Sequence, residues 1–496
     1  MKFTSTRNKS ISITGTQAIV QGLSHEGGLF VPLTFPAVTK QEFEKFCTLE
    51  YPDRATFVLS KFLPELASKL QAATKNAYSK FEDGDAAPLV KLTDSIYMLE
   101  LWHGPTYAFK DVALTLLPHL MADSKLVVGD NSTTLILVAT SGDTGKAALE
   151  GFRNAKGIKI VVLYPSEGVS NLQKLQMQTT SGDNVAVYGI EGNFDDAQNT
   201  VKEIFQDKTI ADSLAKKSIM LSSANSINFG RLAPQIVYYF SSYADMVNSN
   251  QIKYGDKVNF CVPTGNFGNI LAGYYAKKMG LPIKKLICAS NKNNVLADFV
   301  NLGEYSLARE FYKTTSPSMD ILISSNLERL LFELSNRDDK LTSTRMSDLK
   351  VKGKYAVTKQ ELKNIQDEFY AGFSEEDSVK DTIADYFDEY GYIVDTHTAV
   401  ALNVYNQYVE KTNDTTKTVV VSTASPYKFV ADVLTAIEES PTGNDKKDVE
   451  LLEEITALEI PTSLKELFKT KVIHKKVLKK AAVTKSIVEY AYSIGN

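Results

Sequence analysis

Apolar runs that alternate with helix-like stretches organise the chain from Leu89 onward. Each run is followed by a turn and then by residues with helical spacing; the runs are Thr134–Val138, Lys159–Leu163, Val258–Val262, Lys285–Cys288 and Thr418–Val421. This alternation predicts an α/β fold with mainly parallel open sheets flanked by helices. In such sheets ligands bind beyond the carboxyl ends of the strands, so a site is expected in the turns that follow these runs.

The first part of the chain has a different pattern. Helical spacing at Glu42–Cys47 and at Phe57–Gln71 predicts a mostly helical region over residues 1–88. Residues 89–496 form the larger region, and within it the spacing of strands and helices predicts a smaller α/β subdomain at about 131–222.

Composition and charge narrow the function classes. Of 496 residues, 43% are hydrophobic and 23% charged, as in soluble globular proteins. The net charge of −4 gives no basic field, so no nucleic-acid partner is expected. Three scattered cysteines and five scattered histidines favour neither a disulfide framework nor a metal site. No run reaches the roughly 20 apolar residues of a membrane span. We expect a cytoplasmic protein, and the sequence leaves its oligomeric state open.

Lys110 is the first candidate for covalent chemistry. It lies in His103-Gly-Pro-Thr-Tyr-Ala-Phe-Lys-Asp111, after a Gly-Pro turn and before a helix-like apolar stretch, Val112 to Met121. A lysine in a confined, partly apolar place loses solvation of its charged form, so its pKa falls and its amine becomes nucleophilic. Such an amine forms Schiff bases with carbonyl compounds, pyridoxal phosphate being the usual one. A lysine that is merely solvated ahead of a helix is the alternative interpretation.

A turn rich in glycine and asparagine, Pro263-Thr-Gly-Asn-Phe-Gly-Asn269, joins a predicted strand to a predicted helix. Such a turn directs free backbone N–H groups towards one point at the positive end of a helix dipole, which favours phosphate. An ordinary turn with Gly and Asn in left-handed conformations is the alternative. The segment fits neither of the common nucleotide-binding glycine motifs, so nucleotide binding has no support here.

Two further turns follow predicted strands. Ala139-Thr-Ser-Gly-Asp-Thr-Gly145 places hydroxyl and N–H groups at a helix start, where a carboxylate binds well; capping by Ser141 or Asp143 is the alternative. Val419-Val-Val-Ser-Thr-Ala-Ser425 ends a buried-looking strand in hydroxyls. Thr423 is a candidate partner for a ring nitrogen, and it is equally compatible with a helix cap.

Taken in this order, the four segments resemble those of threonine synthases of the long fungal and proteobacterial branch. Other segments that resemble family blocks are Ser5–Arg7, Gly27–Pro32, Ser226–Arg231 and Asp395–Ala399. The resemblance covers nearly the whole chain. One departure is Thr396, where many relatives are expected to have proline.

The resemblance implies a fold of the tryptophan-synthase-β type, in which residues 89–496 form the pyridoxal-phosphate catalytic region. It also implies conversion of O-phospho-L-homoserine and water to L-threonine and phosphate. Lys110 then holds pyridoxal phosphate as a Schiff base, and Thr423 faces the pyridine nitrogen. The residues that grip the cofactor phosphate are Gly265, Asn266, Phe267, Gly268 and Asn269. Those that receive the substrate carboxylate are Thr140, Ser141, Gly142, Asp143 and Thr144.

The phosphate of the substrate needs its own donors. Arg231, Asn228, Ser226 and Ser141 are candidates, and arginine is favoured for its planar fork. An Arg231 that pairs with a helix carboxylate is the rival interpretation. His103 is a candidate for contact with substrate or cofactor, or a satisfied turn histidine.

Three alternatives to a threonine synthase stay open from the residues alone. A phospho-lyase of the same fold would release a keto acid and ammonia, a dehydratase would use similar segments, and a non-catalytic binding protein would retain only the fold. The lysine-rich segment Lys469–Lys485 is interpreted as a solvated helix face, because acidic residues are abundant just before it.

Overall fold

The computed structural model describes residues 1–140, 142–166, 169–192 and 194–493. Its strands are β1 (Lys2–Ser5), β2 (Asn8–Thr14), β3 (Phe30–Pro32), β4 (Leu89–Lys91), β5 (Ile96–Glu100), β6 (Thr133–Ala139), β7 (Ile158–Pro165), β8 (Val185–Ile190), β9 (Ile219–Ser222), β10 (Val258–Pro263), β11 (Ile283–Ser290), β12 (Glu304–Ser306), β13 (Lys354–Ala356), β14 (Phe369–Phe373), β15 (Thr418–Ser422) and β16 (Val477–Leu478).

The helices are α1 (Gly15–Gln21), α2 (Lys40–Phe46), α3 (Tyr51–Phe62), α4 (Ala67–Tyr78), α5 (Lys110–Leu114), α6 (Leu117–Val128), α7 (Asp143–Phe152), α8 (Asn171–Gln178), α9 (Phe194–Gln206), α10 (Lys208–Ala215), α11 (Phe229–Asn248), α12 (Gly268–Lys278), α13 (Val295–Leu302), α14 (Leu327–Leu334), α15 (Asp339–Lys352), α16 (Lys359–Glu368), α17 (Glu376–Tyr390), α18 (Thr396–Thr412), α19 (Val430–Ala436), α20 (Asp445–Thr456), α21 (Thr462–Leu467) and α22 (Lys480–Tyr492). Of the described helices, none has the length and apolar character needed to cross a bilayer.

Two parallel sheets carry the architecture. The larger sheet has the order β14-β11-β10-β15-β5-β4, and its strands run parallel except for β4, which pairs antiparallel with β5 at the edge. The smaller sheet has the order β16-β8-β7-β6-β9 and is parallel throughout. Helices pack against both, and the predicted α/β fold with mainly parallel sheets is confirmed. Each of the five predicted apolar runs lies within a strand.

The amino-terminal region, residues 1–88, contains helices α1 to α4 and differs from the predicted pattern in two respects. The pattern at Phe57–Gln71 belongs to two helices, because α3 ends at Phe62 and Pro64 starts a short 3-10 turn before α4. Proline has no N–H to donate and its ring crowds the preceding turn, so a helix breaks there. A small antiparallel sheet, β2-β1-β3, also lies in this region and was not predicted.

A similar break separates α5 from α6. The expected single helix from Val112 to Met121 stops at Leu114, and a second helix begins at Leu117 with Pro118 in its first turn. Proline is well tolerated there because the first N–H groups of a helix have no partner in any case. Lys110 therefore heads a short helix of its own.

The end of the described chain packs on the smaller sheet. β16 pairs with the edge strand β8, and the buried face of α22 contributes Val483, Ile487 and Ala491 to that sheet's apolar cluster. The interpretation of this segment as a solvated helix face was incomplete. Its lysines face solvent, but its apolar residues close the core of the smaller sheet.

Candidate active site

The segment before Lys110 is a tight turn held by one buried carboxylate. Asp111 accepts hydrogen bonds from Thr106 N (2.7 Å) and Thr106 Oγ1 (2.6 Å). A side chain at Gly104 would meet Asp111 Cβ at 2.6 Å, which explains the need for glycine there. Burial raises the pKa of Asp111 to about 6 against the opposing hydrogen bonds from Thr106. The turn thus fixes the backbone just ahead of Lys110.

Backbone hydrogen bonds attach this turn to the end of β15. Phe109 N donates to Thr423 O at 2.8 Å, Ser425 N donates to Tyr107 O at 3.0 Å, and Ala108 pairs with Ala424. Lys110 and Thr423, candidates from separate segments, therefore lie on adjoining backbone. Thr423 is 5% exposed.

The Lys110 amine lies in a confined, polar pocket. The side chain is buried, and Nζ donates to Ser318 Oγ at 3.3 Å and to Asp143 Oδ2 at 3.5 Å. Burial lowers the pKa of Lys110, and the positive charges of Lys428 and Arg231 lower it further, against the opposing effect of Asp143. A depressed lysine pKa is what the sequence analysis expected at this position.

Asp143 is the centre of a buried charge cluster. Lys428 Nζ lies 2.8 Å from Oδ1, Gln173 Nε2 donates to Oδ1 at 3.0 Å, and Ser318 Oγ donates to Oδ2 at 3.1 Å. Burial alone would raise the pKa of Asp143, but Lys428 and Lys110 hold it well below its usual range. A fixed negative charge repels a second carboxylate, so Asp143 itself is a poor host for a substrate carboxylate, although it lies in the turn predicted to bind one.

The rest of that turn is built around Thr140. Its hydroxyl accepts from Gly142 N and Gly145 N, both at 3.0 Å, so Thr140 closes the turn at the start of α7. Gly142 occupies the cap position, and Thr144 is half-buried in the first turn of α7. Ser141 lies outside the described residues. The alternative of a cap by Asp143 is not what the structure shows, because its carboxylate is directed to the lysines.

The loop between β10 and α12 presents a row of unused donors. Within the described chain, no acceptor lies at the backbone N–H groups of Asn266, Phe267, Gly268, Asn269 and Ile270. Phe267 has φ 62° and heads α12, so the left-handed residue is a phenylalanine and not the Gly or Asn of the alternative interpretation. Such a conformation costs about 1–3 kcal/mol for a residue other than glycine and clusters at ligand sites.

Two contacts hold this loop in place. A side chain at Gly265 would meet Ser318 O at 2.8 Å, so the loop lies directly against the segment that contacts Lys110. Asn269 Oδ1 accepts from Tyr238 OH (2.6 Å) and Tyr239 OH (2.7 Å), which fixes the orientation of its amide. Asn269 Nδ2 is buried and, among the described residues, has no acceptor.

Arg231 and Asn228 differ in availability. Arg231 is buried, Nη1 donates to Ala224 O at 2.7 Å, and Nε has no acceptor within the described ranges. Burial lowers its pKa to about 10. The rival pairing of Arg231 with a helix carboxylate is not found among the described residues. Asn228 caps α11 through Gly230 N at 2.8 Å and donates Nδ2 to Ile19 O at 3.0 Å, so its amide is already engaged.

Ser226 and His103 have partners of their own. Ser226 Oγ accepts from Asn326 Nδ2 at 3.1 Å, beside the β10–α12 loop. His103 lies between Glu100 (2.7 Å from Nε2) and Glu82 (3.3 Å from Nδ1). Burial opposes the charged form of His103, but the two glutamates outweigh it and raise its pKa. The interpretation as a satisfied turn histidine fits these contacts.

The sequence did not single out three residues of this site, Lys428, Gln173 and His397, and it indicated Ser318 only as part of Ser316–Asn326, a stretch of mixed polar residues expected near the catalytic wall. A signal for Lys428 existed, since it is a single lysine in the apolar stretch that follows Thr423, the same kind of signal that singled out Lys110. His397 lies in one of the segments that carried the family resemblance.

Comparison with known proteins identifies the family. Three family profiles match: "Threonine synthase N terminus" over residues 2–78, "Pyridoxal-phosphate dependent enzyme" over residues 85–424, and "Threonine synthase, C-terminal" over residues 398–488. Threonine synthase of Saccharomyces cerevisiae is 36% identical over 92% of this chain and 93% of its own length. Human Threonine synthase-like 1 is 39% identical over 85% of this chain, and the chain spans only 58% of its length.

Solved structures of threonine synthases also match this chain. A PLP-bound threonine synthase from Brucella melitensis matches with a TM-score of 0.89 and 37% identity, over 99% of this chain and 100% of that one. Yeast threonine synthase matches with a TM-score of 0.88 and 34% identity, over 99% and 98%. The resemblance found in the sequence is thereby confirmed, and the chain belongs to the threonine synthase family of pyridoxal-phosphate-dependent enzymes.

Proposed function

We propose that the protein is a threonine synthase, which eliminates phosphate from O-phospho-L-homoserine and adds water to give L-threonine, the last step of threonine biosynthesis. Membership of the family supports this activity. The observation that carries it is the placement of a depressed-pKa lysine beside a loop of unengaged N–H donors. We propose a small-molecule substrate and a cytoplasmic location, as expected from the sequence.

The residues present fit pyridoxal phosphate. The unengaged backbone N–H groups of residues 266–270 lie at the start of α12, where the helix dipole favours a phosphate group. Asn269 Nδ2 adds a buried donor without an acceptor among the described residues. Lys110 would carry the cofactor as a Schiff base, Gly265 to Asn269 would hold its phosphate, and Thr423 would face its ring nitrogen. When bound, the cofactor supplies an electron sink for the substrate carbanion.

Lys110 is the residue that moves protons. With the cofactor bound, Lys110 Nζ would take the proton from the substrate Cα and later return one. Burial lowers the pKa of Lys110, which favours the unprotonated amine that a base requires. Thr423 offers a neutral hydroxyl and would not hold a proton at the ring nitrogen as an aspartate would.

Arg231 is proposed to receive the substrate phosphate. It is a buried guanidinium with no carboxylate partner among the described residues and with Nε unpaired in that part of the chain. A buried charge without a partner is costly, and a phosphate would offset that cost. The turn around Thr140 and Thr144 is proposed for the substrate carboxylate, through N–H groups other than those of Gly142 and Gly145, which donate to Thr140. Asn228 is left out because its amide is engaged elsewhere.

The test is an incubation of the purified, cofactor-loaded protein with O-phospho-L-homoserine, in which phosphate is measured and the organic product identified. Threonine equimolar with phosphate supports the proposal. A keto acid with ammonia would indicate a phospho-lyase instead. Lys110→Ala is the inactive control, and Arg231→Ala should raise KM for the phosphorylated substrate more than it lowers kcat.

A further inference from the structure

Ser318 joins three parts of the site through three different atoms. Its Oγ accepts from Lys110 Nζ at 3.3 Å and donates to Asp143 Oδ2 at 3.1 Å. Its N–H donates to His397 Nε2 at 3.2 Å. Its carbonyl oxygen lies where a side chain at Gly265 would collide, at 2.8 Å. Ser318 therefore links the lysine, the carboxylate and the proposed phosphate loop.

His397 is held in one orientation by hydrogen bonds at both of its ring nitrogens. Nδ1 lies 2.8 Å from Asp395 Oδ2, and Asp395 is fixed in turn by the N–H groups of His397 (2.9 Å) and Thr398 (3.1 Å). Because Nε2 accepts the Ser318 N–H, the ring proton resides on Nδ1, beside Asp395. The ring is 3% exposed and packs beside Phe429. His397, fixed in this orientation, is thus the acceptor that sets the position of Ser318.

We propose that Ser318 is a further catalytic residue which, with the Asp143 carboxylate, holds a proton at the Lys110 nitrogen, and that His397 is the residue that positions Ser318. The Ser318 hydroxyl accepts a hydrogen bond from the protonated Lys110 nitrogen and donates one to the Asp143 carboxylate. Both hydrogen bonds are made while the nitrogen carries its proton, so they stabilise the protonated form. Lys428 and Gln173 hold the other carboxylate oxygen and keep it in place. This inference rests on the proposed function in one respect: bound pyridoxal phosphate is the spectroscopic probe of the proton on the Lys110 nitrogen.

The charged groups around the Lys110 nitrogen determine whether a substitution makes its proton easier or harder to remove. Asp143 favours the protonated nitrogen, and Lys428 and Arg231 disfavour it. Lys428, Lys110 and His397 all face Asp143. Removing the negative charge leaves the two cations unopposed, so the nitrogen should lose its proton at lower pH.

The measurement is the absorbance of the lysine-linked pyridoxal phosphate as a function of pH, because the band position changes with the proton on the linked nitrogen. We expect Asp143→Asn to lower the midpoint by about 1–3 pH units, the effect of one opposite charge at this distance. Ser318→Ala should lower the midpoint by less, and Ser318→Thr, which keeps a hydroxyl, should have the wild-type midpoint. A midpoint that stays at the wild-type value in both Asp143→Asn and Ser318→Ala would overturn the proposal.

Two matched variants test the role of His397. In His397→Gln an amide oxygen replaces Nε2 as acceptor for the Ser318 N–H, so the wild-type midpoint should be kept. His397→Leu has similar bulk and no acceptor, and its midpoint should move to that of Ser318→Ala. Equal midpoints in wild type and His397→Leu would remove His397 from the proposal. A merely structural role would change stability in both variants without this difference in midpoint.

A second measurement separates this inference from the proposed function. If the wild-type protein binds no pyridoxal phosphate, the proposed function fails. The pH dependence of Lys110 acetylation by acetic anhydride, followed by mass spectrometry on the cofactor-free chain, then decides the inference. Half-maximal labelling should move to lower pH in Asp143→Asn, and an unchanged profile would contradict it.

Discussion

Lys428→Met tests the charge balance on which the site depends. The Lys428 ammonium lies 2.8 Å from Asp143 Oδ1, and the side chains are 1% and 3% exposed. Removing one partner of a buried pair costs about 3–5 kcal/mol, because the other charge stays buried. Gln173 and Ser318 keep their hydrogen bonds to Asp143, and Lys110 remains 3.5 Å away. We therefore expect a loss near the lower end, about 3 kcal/mol of unfolding free energy.

The assay is a double-mutant cycle with Lys428→Met, Asp143→Asn and the pair, measured by urea unfolding of the cofactor-free chain. Trp102, the single tryptophan of the sequence, reports on the site, since its Nε1 donates to Ser422 Oγ at 3.0 Å. The double variant should lose less unfolding free energy than the two single variants lose together, and the difference should be about 2–3 kcal/mol. Additivity within about 0.5 kcal/mol would refute the reasoning.

A matched control and a pH series sharpen the test. Lys446→Met breaks an exposed pair with Glu450, 59% and 57% exposed, and should cost at most about 0.5 kcal/mol. The folded-state pKa of Asp143 is depressed, so its contribution to stability is present above its unfolded pKa and is lost as the pH falls towards the folded value. The difference between wild type and Lys428→Met should therefore shrink below about pH 4.

Three further predictions concern separate parts of the chain. Gly265→Ala forces a contact of 2.8 Å with Ser318 O. The overpacking cost of about 1–3 kcal/mol should weaken pyridoxal phosphate binding roughly 5- to 150-fold in a titration. Unchanged affinity would contradict the placement of the loop. Arg345→Met breaks a buried bidentate pair with Glu361 (2.8 and 2.6 Å) and should cost about 3–5 kcal/mol in urea while cofactor affinity stays the same. Because the pKa of His103 is raised in the folded state, its stabilising contribution is fully present below its unfolded pKa, about 6.5, and is lost as the pH rises through the folded value. The free energy of unfolding, measured from pH 6 to 9, should therefore fall in the wild type by an amount that is absent in His103→Gln.

Strands and turns could be predicted from sequence because their signals are local. A buried parallel strand appears as a continuous apolar run, and the predicted Thr418–Val421 lies within β15 at Thr418–Ser422. The helix boundaries at Pro64 and Pro118 were missed because helical spacing continues across them in the sequence. The strands before residue 33 were missed because they are short and lie largely among polar residues.

The site was predicted in part for the same reason. Lys110 and the Gly265–Asn269 loop stand out because each is one short segment with unusual composition. Ser318 contacts Lys110 across 208 positions, and the mixed polar sequence around Ser318 does not indicate that contact. The opposite signs of Asp143 and Lys428 likewise reveal nothing until the fold brings them within 2.8 Å. Chemistry that depends on long-range pairing becomes visible only in three dimensions.

The place of β16 in the smaller sheet has a consequence for how the protein is made. β8 ends at Ile190, and the strand that pairs with its last two residues begins at Val477. At about 5–20 residues per second, a ribosome needs roughly 15–60 s to synthesise the intervening chain. During that time β8 presents an uncovered strand edge, which is a template for pairing with other chains. Until residues 477 and 478 are made, the Gly189–Ile190 end of β8 therefore lacks the strand that it pairs with in the finished fold.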